Sequence, residues 1–266
     1  MKKFATILFL LAVLLAGCSS PTQTPGQAAI SAPAAGVITA EPTVLSLQVS
    51  VTQSPDPTPT MPVFSSNDVC ENPFYPVVNG AQWNNRSTFA SDGSVSTSTA
   101  SMEVFEDKSF TMTMSSGDST FKLDGRCTDD GIILMDVPGI SGTFSSSDGG
   151  GSTMTTENVD GVTLPNDVQI GDDWSQEISV VAKSNSGDTI LSATIETTYV
   201  ALGYETVTVP AGTFYALKVE QSGSMTMGGG EPFLTHGFIW YAQGIGTIKS
   251  GLDGTFMAEL TQYNIP

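Results

Sequence analysis

The chemistry available to this 266-residue chain turns on few side chains. His236, in FLTHGFIWY, is its only histidine and so its only imidazole general base. Serines and aspartates are plentiful, but a Ser/His/Asp triad is defined by geometry rather than by order along the chain. No G-x-S-x-G elbow lies between a strand and a helix. His236 therefore reads as a structural or surface residue, and a hydrolase built around it stays a third alternative. One histidine cannot furnish a transition-metal site. The pairs Asp129-Asp130 and Asp172-Asp173 could offer oxygen to calcium, yet they lack EF-hand spacing and suit turns. Nor do they single out a glycosidase dyad. Gly244, Gly246, Lys249 and Ser250 in GIGTIKSG match neither nucleotide-loop spacing, and the β-branched Ile245, Thr247 and Ile248 point to a bent strand. The expectation is no catalytic residue, no metal and no cofactor.

The three cysteines divide by context. Lys2 and Lys3, the apolar run Phe4 to Ala16 and the small residues before Cys18 form a secretory signal over 1–17. That run is too short to span a bilayer, which takes about 20 apolar residues. Leu15-Ala16-Gly17-Cys18 resembles the lipobox of bacterial lipoproteins, which implies diacylglycerol on the Cys18 thiol and cleavage just before it. Several acyl chains on one residue meet the need for more than a single chain in stable anchoring. Cys70 and Cys127 remain as one pair in a chain that leaves the cytoplasm, where a disulfide is favoured. Their bridge would contribute roughly 4 kcal/mol on the chain-entropy model.

The membrane is the expected partner, held through the lipid on Cys18 on the extracytoplasmic side of the envelope. Once Lys2 and Lys3 are removed, seven Lys and Arg face twenty-seven Asp and Glu, a formal charge of −20. That balance excludes nucleic acid and electrostatic docking on anionic lipid. Residues 18–66 are rich in Pro, Ala, Ser and Thr with few charges, the composition of a tether. Within it Leu45, Leu47, Val49 and Val51 alternate, so 44–52 could add a strand to the domain.

The elements that position these residues are strands. Over 67–266, SFTMTMS places Phe110, Met112 and Met114 on one face, STFKLDG places Phe121 and Leu123, and EISVVAK places Ile178, Val180 and Ala182. Turn dipeptides stand at Asp92-Gly93, Asp124-Gly125, Asp130-Gly131, Asp160-Gly161 and Asp253-Gly254. Pro210-Ala211-Gly212 reads as a hairpin turn, and the Ser/Gly-rich 143–153 as a mobile loop tip. The predicted fold is all-β: a large antiparallel, strongly curved sheet, a half-barrel or open barrel-like meander, with few or no helices beyond the signal peptide. An echo between Pro76–Trp83 and Pro165–Trp174 suggests two similar halves, 70–160 and 161–266. Eight methionines lie in the domain. Methionine fills irregular cores and also adaptable binding surfaces, which makes Phe110, Met112, Met114, Met225 and Met227 the candidate apolar binding face.

Gly80-Ala81-Gln82-Trp83, Gly171-Asp172-Asp173-Trp174, Val209 to Phe214 and Trp240 to Lys249 together resemble bacterial envelope lipoproteins of the TapB-like kind, over most of Pro73 to Tyr263. The resemblance implies an antiparallel, strongly curved sheet and supplies no catalytic residues. More distantly the chain is similar to LolA/LolB and LppX-type half-barrels, which carry lipid or lipoprotein acyl chains in a concave apolar face. It departs from them in having no evident long helix to cap the concavity. The function expected is a non-enzymatic, lipid-anchored envelope protein that binds an apolar or envelope ligand. The alternative is an assembly component that contacts other envelope proteins through sheet edges.

Overall fold

The computed structural model describes residues 68–134, 142–146 and 151–266, with backbone alone for 142–146 and 151–152. The signal segment, Cys18, the tether with its 44–52 stretch, and Met135 lie outside the described residues. Fourteen strands follow one another: β1 Gln82–Phe89, β2 Val95–Val104, β3 Ser109–Ser116, β4 Ser119–Cys127, β5 Gly131–Leu134, β6 Gly142–Ser146 and β7 Gly151–Gly161. Then come the two-residue β8 Leu164–Pro165, β9 Asp173–Ser184, β10 Thr189–Val209, β11 Gly212–Met227, β12 Phe233–Ala242, β13 Gly246–Leu252 and β14 Phe256–Asn264. No helix occurs among the described residues.

All belong to one antiparallel sheet in the order β3-β2-β1-β14-β13-β12-β11-β10-β9-β7-β6-β4-β5-β8, so β1 from the first half pairs with β14 from the second. β3 also pairs with β4, which brings the two ends of that order together and forces strong curvature. The curl is not completed along its whole height. β6 joins β4 over Ser119–Leu123, whereas Gly125–Cys127 of β4 turn to β5, which passes to β8. The sheet forks there.

Alternation decides which side faces in. Ile178, Val180 and Ala182 of β9 are buried, while Glu177 and Lys183 on either side of them are exposed. Pairing carries that face across the sheet: Ala201 opposite Val219, Val219 opposite Ile239, Ile239 opposite Ser250 and Ser250 opposite Ala258. Leu217, Val219, Ile248 and Leu260 on it are fully buried. Each such side chain contributes roughly 1.5–3 kcal/mol through burial.

One end of the curl is sealed by a segment that is not strand. Residues 68–81 send Phe74, Val77, Val78 and Ala81 into the main apolar cluster. A disulfide joins Cys70 to Cys127 at the end of β4, with 5.3 Å between Cα atoms. Gly244 N–H donates to the Pro73 carbonyl, and the Phe74 and Tyr204 rings meet at 6.4 Å. Tyr204 sits just beyond a β-bulge at Ala201/Gly203 in β10, where the extra residue bends the ribbon. Past the bend, Ala211 at the β10–β11 turn donates its N–H to the Leu260 carbonyl.

Two local expectations are corrected. Asp124-Gly125 is not a turn but lies inside β4, where a Cβ on Gly125 would stand 2.5 Å from the Phe110 ring. The glycine makes room for that ring rather than for a chain reversal. Residues 143–146 and 151–153, expected in a loop tip, are strand residues of β6 and β7, paired Thr143 to Thr153 and Ser145 to Gly151. Pro210-Ala211 forms the two-residue β10–β11 turn, and Gly246 opens β13 at φ +98°, as the bend in GIGTIKSG requires.

Candidate functional site

The five nominated apolar residues share the inward face but not one patch. Phe110, Met112 and Met114 on β3 oppose Val104, Met102 and Ala100 of β2, and Gly125, Leu123 and Phe121 of β4. Phe110 is buried at the sealed end against Tyr75, whose ring lies 6.0 Å away; Met112 and Met114 are half-buried. Met225 lies across the curl in a second apolar cluster with Ile178, Val180 and Ala193, flanked by Met154, Val159, Leu191 and Ile195. Met227, two residues on, is 42% exposed. Away from the seal, then, inward apolar side chains become accessible, Met114, Phe121, Leu191 and Ile195 among them.

Between the two clusters runs a polar layer that the sequence did not single out. Trp174 and Tyr199 stack at 5.3 Å on the sealed side. Burial pushes the Tyr199 hydroxyl up to about 12, so it stays neutral at ordinary pH. Next along β9 comes Gln176, buried, opposite Thr197 of β10 and Gly161 of β7. Thr163 donates its hydroxyl to Gln176 Oε1 at 3.0 Å and accepts the Leu134 N–H at 2.9 Å. Its backbone N–H donates to the Ile132 carbonyl, and its own carbonyl accepts Trp174 Nε1–H at 3.1 Å. Thr163 thus pins the fork of the sheet. The signal for this layer lies in long-range pairing, which spacing alone does not carry.

His236 lies on the opposite, outward face. Its Nδ1 is 2.7 Å from Asp253 Oδ2 and its Nε2 2.8 Å from Glu220 Oε1. Hydrogen bonds to Glu220 first and Asp253 second raise its pKa above the ordinary histidine value. When the ring is protonated both nitrogens donate, one to each carboxylate, and neither keeps a lone pair. Phe238 and Trp240 continue the row along β12. Lys218 Nζ stands 4.4 Å from the Phe238 ring centre, and Lys249 Nζ 5.3 Å from that of Trp240. A surface pocket of about 340 Å³ opens beside the β13–β14 turn, lined by Phe89, Phe238, Leu252, Phe256 and Met257 among others. Asp129 and Asp130 stand in a loop, and Asp172 lies just before β9, which Asp173 opens: the Asp129 and Asp130 carbonyls accept from Asn166, and Asp172 Oδ2 accepts the Gln169 N–H. No cluster of three metal-ligating side chains occurs among the described residues.

Residues 87–251 match a protein family described as DUF3108-like. Among solved structures, the chain is similar to a candidate lipoprotein of Parabacteroides distasonis ATCC 8503, at 14% identity and a TM-score of 0.41, covering 73% of this chain and 99% of that one. A candidate exported protein with YmcC-like fold from Bacteroides fragilis NCTC 9343 is similar at 17% identity and a TM-score of 0.42, covering 72% and 98%. The hypothetical lipoprotein YmcC of Escherichia coli K12 is similar at 13% identity and a TM-score of 0.34, covering 72% and 90%. No curated protein matches the chain.

Proposed function

The chain belongs to the DUF3108-like family, and we propose that it is a non-enzymatic envelope protein, lipid-anchored through Cys18, whose curled sheet holds an apolar guest on its inward face. One observation carries the reading. Strand register aligns Met112, Met114, Phe121, Ile195, Met225 and Met227 on a single inward face, and among the described residues 68–81 seal one end of that face. An apolar, concave and partly accessible surface is the ordinary form of a site for an apolar ligand. The guest would sit where the half-barrel lipid carriers of the envelope hold theirs. His236 serves as an ion-pair clamp between β11, β12 and the β13–β14 turn, with no chemistry of its own.

The alternative, edge-to-edge assembly with other envelope proteins, has less to use. The pairing of β3 with β4 takes up an edge of each of those strands, so less edge stays bare than in an open meander. The two readings separate when the full chain is extracted from envelopes under mild conditions and weighed by native mass spectrometry, with lipid analysis of the extract. A stoichiometric lipid is the expected result, and a clean apo mass favours assembly. Anchoring is tested separately with an alkyne fatty acid: label is expected on the parent chain and lost in Cys18→Ser.

A further inference from the structure

Register lays two neighbouring rows of side chains across the outward face. One runs from β2 to β12 through Val95, Thr88, Met257, Gly251 and Phe238. The other, one step nearer the seal, runs from β1 to β11 through Arg86, Glu259, Lys249, Trp240 and Lys218. Gly251 interrupts the first row, since it carries no side chain and a Cβ there would press on Met257 Cε at 2.9 Å. The cavity of about 340 Å³ opens at this gap, with Phe238 and Met257 in its wall beside Phe89, Leu252 and Phe256. Unlike the packed clusters inside the curl, this lining meets solvent: the four other side chains are half-buried and Met257 is 37% exposed. At about 4.8 Å per strand the row from Phe238 to Thr88 spans roughly 14 Å, room for a single alkyl chain.

The second row supplies the charge. Arg86 takes up Glu259 at 2.9 Å, and His236 takes up Glu220 and Asp253. Lys218 and Lys249 form no ion pair among the described residues. Both ammonium groups stand instead over the Trp240 ring, 5.4 Å and 5.3 Å from its centre, and Lys218 also lies over Phe238. Glu205 accepts the Trp240 Nε1–H, which holds that carboxylate in the plane of the indole rather than over it. Two cations without counter-ions thus border an apolar cavity, because Phe238 and Trp240 both line it. The acid excess of the whole chain repels an anionic bilayer, but at 0.15 M salt a bound group responds mainly to charges within about 8 Å.

We propose that this outward site binds a fatty carboxylate, its alkyl chain in the cavity along Phe238 and Met257 and its head group between Lys218 and Lys249. A carboxylate has two oxygens, one for each ammonium. The site lies on the opposite side of the sheet from the inward apolar face, and neither needs the other.

The test is equilibrium binding of tritiated laurate, dodecanol and dodecyltrimethylammonium to the full chain carrying Cys18→Ser, at pH 8. Laurate is expected to bind about threefold to tenfold more tightly than dodecanol, the range of two surface charge contacts, and the cation more weakly than either. Lys218→Met with Lys249→Met should erase the preference, Lys218→Arg with Lys249→Arg should keep it, and Met257→Glu should weaken laurate binding at least tenfold. Thermal melts accompany each variant. Should the methionine pair fail to fold, added salt on the parent is expected to shrink the advantage of laurate over dodecanol. Equal binding of laurate and dodecanol, a preference that survives loss of both lysines or is indifferent to salt, or laurate binding unchanged by Met257→Glu overturns the proposal and leaves the inward-face reading standing. So does a parent dimer, seen by sedimentation, that Met257→Glu dissociates, because a second copy then fills the cavity.

Discussion

Trp83 Nε1 donates to the Ile245 carbonyl at 2.7 Å, a buried bond between residues 162 positions apart. It ties the start of β1 to the β12–β13 turn, beside the Phe74–Pro76 stretch of the sealing segment. Trp83→Phe keeps a ring in the core but strands the carbonyl. The expected loss is about 1–3 kcal/mol, read from the urea midpoint. An unchanged midpoint would show that water satisfies Ile245.

Removing the Cys70–Cys127 bridge frees a 57-residue separation in the unfolded chain. Cys70→Ser with Cys127→Ser is expected to lower stability by about 4 kcal/mol on the chain-entropy model. Reduction of the parent protein should reproduce the loss. If both melt like the oxidised parent, the noncovalent contacts of residues 68–81 alone hold the seal.

Gly125→Ala would drive a methyl group to 2.5 Å from Phe110 Cζ and 3.1 Å from the Ile133 carbonyl. Overpacking of this kind costs about 1–3 kcal/mol. Phe110→Leu shortens the obstructing side chain, so the pair Gly125→Ala, Phe110→Leu should fall short of the sum of the two single losses. Simple additivity in a double-mutant cycle would place the clash elsewhere.

The His236 clamp makes stability depend on pH in a stated direction. Its folded pKa is raised, so its stabilisation is complete below the unfolded value near 6.5 and fades as pH climbs through the higher folded value. Melting temperatures of the parent and His236→Gln should differ more at pH 5.5 than at pH 9. The ring is largely exposed, so the difference is small and shrinks with added salt. A gap that widens towards alkaline pH would contradict the ion-pair account.

Much of this architecture is legible in alternation. SFTMTMS and EISVVAK each declare a strand and an inward side, because side chains repeat every two residues and one face is buried. What alternation cannot convey is which strands meet. Glu220 and Asp253 lie 16 and 17 positions from His236, and only register and the β13–β14 turn bring both to its ring. Gly125 looked like a turn residue because Asp-Gly is a turn dipeptide, yet the requirement is set by Phe110 on the neighbouring strand. The sealing segment escaped for the same reason. Asn72, Phe74, Val77 and Val78 follow no period, and their burial comes from distant partners such as the Pro165 carbonyl, which accepts from Asn72.

The bond between Cys70 and Cys127 also decides how the domain answers a pull. Tension that arrives along the chain at residue 68 passes, two residues later, straight through sulfur into the last residue of β4. Residues 71–126 are bypassed and cannot be peeled away one contact at a time. The force instead meets the backbone ladders that β4 shares with β3 and β5, which must yield together. Under reducing conditions the same pull would first draw out residues 71–81 and unseat the seal.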